Sequence, residues 1–177
     1  MSSRLKVLDL FSGRGGFSEA FKQRGHEVLR VDIDPRFKPD ICADILNFSI
    51  RGFWDIILAS PPCTEFTRNE LPWYDDEQPP SLVLVTATKE LIVELKPQWW
   101  IFENVRGSVK WIDPILGHYR KHVGSRYLWG DFPLFDCEHI YGKWRAPPTI
   151  ERASIKATIP YKLSLNLCTA CEHYRRR

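Results

Sequence analysis

The chain has 177 residues, 44% hydrophobic and 27% charged, with a formal net charge of +3. That length suits one domain with a sizeable core, read here as residues 1–177, and the charge permits nucleic-acid binding without requiring it. No apolar stretch approaches the roughly 18 residues of a membrane span, the amino terminus lacks an apolar signal core, and five scattered cysteines argue against a disulfide framework; a reducing cytoplasm, or a host cytoplasm for a virus-encoded chain, is expected.

In chain order, Lys6 to Leu10 reads as a first strand and Phe11-Ser12-Gly13-Arg14-Gly15-Gly16 as a glycine-rich turn. Apolar residues at Phe17, Ala20 and Phe21 have helical spacing, and Gly25 stops that helix after Arg24. Residues 27–32 and 40–45 are the second and third strands; 54–59 is the fourth, cut off by Pro61-Pro62. A long loop is expected over 64–80, with Asn69, Pro72 and the acids Asp75, Asp76 and Glu77. A helix at 81–96, a fifth strand at 98–103 and a helix at 111–121 follow. Two strands around Phe132-Pro133 are expected over 126–140, then a helix from Pro160 to Tyr174 with Leu163, Leu167, Cys168 and Cys171 on one face. The alternation predicts an α/β fold with a mostly parallel, doubly wound sheet.

Two motifs carry chemistry. Cys63 follows Pro61-Pro62 at the carboxyl end of the fourth strand, where open α/β sheets place ligands and where a thiol can act as a nucleophile. Glu103-Asn104-Val105 ends the fifth strand, so a Cys and a Glu on one rim can attack and protonate a single ring. Gly13-x-Gly15-Gly16 lets a nucleotide approach the backbone, and Asp32, ending the next strand, can bind ribose hydroxyls. Ser18 stands where the dinucleotide fingerprint has its third Gly or Ala, and Asp9 suits an ammonium better than phosphates. An adenosyl-type cofactor is therefore expected, with Asp44 as a further acid on the rim. The plainer alternatives are a tight turn at Gly13 to Gly16, a buried hydrophobe at Cys63, and a cap or surface ion pair at Glu103. Cys168-x-x-Cys171 with His173 has ligand letters but no matching second pair beyond Cys137-x-His139, so core packing is expected and no metal. In the long loop Arg68, Trp73 and Tyr74 are candidate ligand contacts, and Arg175 to Arg177 an exposed basic tail.

Together these stretches resemble the DNA cytosine-5 methyltransferases that use S-adenosylmethionine. Asp9 to Phe17, including Phe11, is similar to that family's first motif. Asp32-Ile33 occupies the place of its ribose-binding acid and adenine-stacking neighbour, and Asp44-Ile45 that of the acid and apolar residue flanking the adenine. Pro62-Cys63-x-x-Phe66-Thr67 resembles the catalytic Pro-Cys-Gln-x-Phe-Ser motif, with Thr64 and Thr67 as departures, and Glu103-Asn104-Val105 matches Glu-Asn-Val. Beyond residue 108, Tyr141-Gly142-Lys143-Trp144-Arg145 is the nearest approach to Gln-x-Arg-x-Arg, with Arg152 as a rival. Ile159-Pro160 is similar to the last motif, with Ala157-Thr158 in place of Gly-Asn.

The resemblance implies a Rossmann-like methyltransferase fold and S-adenosylmethionine held by Asp9, Phe11, Gly13, Gly15, Gly16, Asp32, Ile33, Asp44, Ile45 and Pro62. It implies catalysis by Cys63, Glu103 and Arg145 on a cytosine flipped out of DNA, with roles in restriction-modification, viral modification or regulation. The chain has no room for the family's target-recognition domain, so a separate specificity subunit is a candidate partner; no membrane or metal is expected. Three alternatives stay open. Ser60-Pro61-Pro62 also resembles the Ser-Pro-Pro-Tyr motif of exocyclic-amine methyltransferases, although Cys63 stands where those enzymes need an aromatic ring. The second is a catalytically degenerate module that binds nucleic acid or regulates a partner, and the third the catalytic half of a two-chain enzyme; an RNA or free-nucleotide substrate is also open.

Overall fold

Short apolar runs separated by glycines, prolines and acids fold into one sheet. In the computed structural model, which describes residues 4–68, 78–137 and 158–174, its strands are β1 Lys6–Leu10, β2 Glu27–Asp32, β3 Ile41–Cys42, β4 Ile56–Ala59, β5 Trp99–Val105, β6 Lys121–Val123 and β7 Arg126–Asp131. Their order is β3-β2-β1-β4-β5-β7-β6; β1 to β5 are mutually parallel, and β7 is antiparallel to both β5 and β6. The helices are α1 Glu19–Gln23, α2 Thr64–Arg68, α3 Val83–Leu95, α4 Val109–Leu116 and α5 Tyr161–His173. The α/β, mostly parallel sheet expected from the alternation of elements is the one formed.

Every residue of β4 is buried, as a strand covered on both faces requires. On one face Val7, Ile56, Leu58, Ile101 and Leu128 pack with Phe21 of α1 and Leu163 and Leu167 of α5. On the other, Leu8, Leu10, Ile57, Phe102 and Trp129 pack with Val85 and Ile92 of α3 and Ile112 of α4. The chain runs outward from β1 to β3 and then crosses to the other side of β1 with β4. That reversal makes the carboxyl ends of β1 and β4 the topological switch point, where such sheets hold ligands.

A side-chain lock fixes α5 against the start of β2. The Arg24 guanidinium donates to both oxygens of Glu172 (2.9 and 2.7 Å), and His26 Nε2 lies 3.0 Å from Glu172 Oε1. His26, Cys168 and Glu172 are close enough together to suggest a metal site. However, His26 Nδ1 accepts from Leu5 N–H (3.2 Å), so Nε2 carries the proton and donates to Glu172, leaving no ring lone pair for a metal. Cys168 and Cys171 are fully buried on α5, and burial pushes the Cys168 thiol up to about 12. No helix among the described residues is long and apolar enough to cross a membrane.

Four elements differ from expectation. The third strand is only Ile41–Cys42, because Asp44 accepts from Leu46 N–H (3.0 Å) and turns the chain into a 3-10 segment, Ile45–Asn47. The loop after Cys63 begins as α2, while residues 69–77, including Trp73 and Tyr74, lie outside the described residues. The helix expected over 111–121 is α4, which starts earlier and stops at Gly117 (φ +86°). Of the two strands expected over 126–140, the described residues 126–137 hold one, β7, which pairs with β6 through a two-residue turn, Gly124-Ser125, with Gly124 at φ +60°. His139 lies outside the described residues.

At Gly130 of β7 a Cβ would collide with the Trp100 carbonyl of β5. With φ at +135°, no L side chain is comfortable there. Gly130→Ala is expected to destabilise the fold by about 2 kcal/mol or more in urea denaturation, through backbone strain added to overpacking.

Candidate active site

Ala59 of β4 pairs with Phe102 of β5, so the next residue on each strand, Ser60 and Glu103, lie side by side at the rim. Ser60 Oγ donates to Glu103 Oε2 (2.6 Å). One residue further along, the buried Asn104 donates from Nδ2 to the Pro61 carbonyl (3.2 Å) and accepts from Val105 N–H (2.9 Å). Pro61 and Pro62 have no N–H to join a ladder, so these side chains hold the turn instead. Cys63 is half-buried at its end, and its carbonyl accepts from both Thr67 N–H and Thr67 Oγ1 (3.0 Å each) as α2 begins. Phe66, 3% exposed, anchors α2 in the core. Cys63 and Glu103 therefore stand at the carboxyl ends of adjacent parallel strands.

Glu103 is buried, neither a helix cap nor half of a surface ion pair. Its Oε1 accepts from Arg126 Nη1 at 2.8 Å, in a pair whose side chains are 9% and 4% exposed. Arg126 Nη2 also donates to the Thr158 carbonyl (3.0 Å). The arginine expected at the site, Arg145, and its rival Arg152 lie outside the described residues, as do Ala157 and Arg175 to Arg177; nothing is described of the Arg68 side chain. Arg126 was not singled out from the sequence. The available signal was its spacing: it shares a strand face with the core residue Leu128, so a cation there demands a buried partner.

The turn after β1 is clamped from β2. Gly13 N–H donates to Asp32 Oδ2 (2.7 Å), and Arg30 Nη2 donates to the Gly13 carbonyl (2.7 Å). Phe11 (φ +57°), Gly13 (+49°) and Gly15 (+79°) all take left-handed backbone. A Cβ on Gly15 would come within 2.8 Å of the Arg30 guanidinium, and one on Gly16 within 2.5 Å of the Ile159 carbonyl. The absence of side chains at Gly15 and Gly16 is thus explained by the protein's own packing. Gly13 differs, with nothing within 4 Å of where its Cβ would be.

The same turn keeps polar atoms in reserve. Ser12 Oγ and Asp9 Oδ1 are buried without a hydrogen-bond partner, while Asp9 Oδ2 accepts from Ser18 Oγ (2.5 Å). Burial pushes the Asp9 carboxyl up to about 7, against the opposing effects of Ser18 and Arg30. Asp32 Oδ1 accepts from Asp34 N–H (2.9 Å), and each of its oxygens retains a second lone pair. Ile33 beside it is 65% exposed, Ile45 is half-buried and Pro62 is exposed. Unsatisfied buried oxygens, a carboxylate with spare lone pairs and an exposed apolar side chain fit a nucleoside carrying an amino-acid tail.

Residues 5–111 match the C-5 cytosine-specific DNA methylase family. The chain is 32% identical over 121 residues to the type II methyltransferase M.XorII of Xanthomonas oryzae pv. oryzae, covering 56% of this chain and 28% of that protein. It is 30% identical over 124 residues to the type II methyltransferase M.AplI of Arthrospira platensis, covering 62% and 34%. The matched segments thus span about a third of these relatives' length. The fold is also similar to a prophage-encoded E. coli protein described as a DNA modification methyltransferase, with a TM-score of 0.50 and 24% identity over 71% of this chain and 46% of that one. Family and fold together imply use of S-adenosylmethionine. With the family's motifs matched across more than half its length, this chain belongs to the C-5 cytosine-specific DNA methylases.

Proposed function

We propose that the chain is a DNA cytosine-5 methyltransferase, which moves a methyl group from S-adenosylmethionine to carbon 5 of cytosine through a covalent adduct on Cys63. The observation that carries this reading is the double tether, Ser60 to Glu103 and Asn104 to Pro61, between the thiol's turn and the carboxyl group's strand. Cytosine is too weakly nucleophilic at carbon 5 to be methylated unaided. Addition of the Cys63 thiolate to carbon 6 pushes ring electrons to carbon 5, making it enamine-like. Glu103 protonates or hydrogen-bonds nitrogen 3, where negative charge develops. S-adenosylmethionine, when bound, supplies the sulfonium methyl group that carbon 5 takes. Loss of the carbon-5 proton and expulsion of Cys63 restore the ring. In a duplex the cytosine must first be flipped out, at roughly a few kcal/mol.

In this reading Asp32 accepts the ribose hydroxyls, Ile33 and Ile45 contact the adenine beside Asp44, and Asp9 with Gly13 receives the amino-acid tail. Phe11, Gly15, Gly16 and Pro62 complete the donor's wall. Residues 1–177 act as one catalytic domain in this reading.

DNA containing 5-fluorocytosine, which cannot lose its carbon-5 substituent as a proton, is expected to trap the wild-type protein with S-adenosylmethionine as a denaturation-resistant adduct. Cys63→Ala should form none. Methylation of an exocyclic amine without an adduct would move the chain to the amine methyltransferases; donor binding without either product would leave a binding module. A second expectation concerns Asp9. With its carboxyl titrating at about 7, Asp9 is mostly protonated near pH 6, and an incoming ammonium favours the carboxylate. Donor binding at about pH 6 should therefore release a proton, seen as buffer-dependent binding heats, and Asp9→Asn should abolish that release.

A further inference from the structure

The geometry points to Arg30 as a positioning residue for the methyl donor: its guanidinium holds the turn at Gly13 from beneath and sets a positive charge opposite Asp9, so that the turn is shaped and charged before the donor arrives. The inference rests on the donor reading above and concerns a residue outside the stretches that resemble family motifs. Three observations carry it. Arg30 of β2 is level with Asp9 of β1 in the parallel ladder, so the two side chains rise from the same face of the sheet, as does Asp32 two positions further on. The guanidinium lies under the turn: Nη2 donates to the Gly13 carbonyl (2.7 Å), and a Cβ on Gly15 would come within 2.8 Å of its central carbon. Arg30 is itself held from outside the turn, its backbone N–H donating to Asp40 Oδ2 (2.8 Å).

The consequence for Gly13 is steric. Asp32 takes the Gly13 N–H (2.7 Å) and Arg30 takes the carbonyl, so the peptide groups on both sides of a glycine with φ +49° are fixed. Without these grips that glycine would sample many conformations, and the donor would have to order it on binding. The consequence for Asp9 is electrostatic. Burial and Asp32 oppose its carboxylate, whereas Ser18 and Arg30 favour it. Its β4 neighbour is Leu58, and the α5 residues on this face, Leu163 and Leu167, are apolar, so Arg30 is the cation that acts on Asp9 among the described residues. An Arg30 that served only folding would change how much protein folds and leave the affinity of the folded fraction intact.

The test measures S-adenosylmethionine binding to the full chain by calorimetry between about pH 6 and about pH 8.5, for wild type, Arg30→Met and Arg30→Lys. Each variant's dissociation constant is divided by the wild-type value at the same pH, which cancels the donor's own titration, and the binding stoichiometry reports the folded fraction separately. Without the arginine the Asp9 carboxyl stays protonated to higher pH, so for Arg30→Met the ratio should be largest at the acid end and fall as pH rises past about 7. At the alkaline end it should still stand at roughly tenfold, from the lost charged hydrogen bond to Gly13. Arg30→Lys keeps the charge but not the planar fork, so its ratio should lie above one and stay flat with pH. Ratios near one throughout, a deficit confined to stoichiometry, or an Arg30→Met ratio that does not change with pH would overturn the role of Arg30 alone. A wild-type chain that binds no S-adenosylmethionine overturns the donor reading and this inference with it.

Discussion

A buried carboxyl group at the end of β5 cannot stand alone, and most of the active rim is arranged around satisfying it. Glu103 is 3% exposed, so its oxygens must find donors inside the protein. Ser60 supplies one from β4 and Arg126 supplies the other from β7. This explains a feature of the sheet that its parallel half does not require. Because β7 runs antiparallel, its first residue comes level with the last residue of β5, which brings a cation 23 residues further along the chain to the carboxyl rim. A parallel strand in that position would have begun at the opposite edge of the sheet.

The turn after β1 is completed by residues from β2 and from the segment just before α5. Arg30 and Asp32 of β2 grip the peptide of Gly13 from both sides, while Thr158 and Ile159 close over Gly16. Ser164 of α5 then accepts from Ala20 N–H and donates to the Phe17 carbonyl, tying the start of α1 to the last helix. Arg126 holds the same Thr158 backbone from its other side. The segment leading into α5 therefore touches both halves of the rim: the turn proposed to receive the methyl donor and the arginine paired with the buried acid.

The thiols sort by position. Cys168 and Cys171 face the core, where burial raises their pKa values and keeps them protonated. Cys42 is exposed at the short β3, within 3.5 Å of the Ile33 carbonyl. Cys63 stands at the switch point, beside the tethered Glu103 strand, and this placement separates a candidate nucleophile from packing residues.

Local chemistry made much of this legible in the sequence. Apolar runs ended by Pro61-Pro62, by Glu103-Asn104 and by the Gly13 turn identify β4, β5 and β1 and place their motifs at strand ends, because periodicity and chain-breaking residues act over a few positions. Four spaced apolar residues likewise identify the core face of α5. What periodicity could not supply was partnership. The hairpin of β6 and β7, the shortening of β3 by Asp44 and the pairing of Glu103 with Arg126 depend on which backbone or charge arrives from elsewhere. The sequence alone determined the chemical groups and the strand ends that carry them. Only the tertiary structure decided which arginine meets the acid, because a buried charge selects its partner by proximity in space, and an antiparallel crossing brings together residues that no local spacing relates.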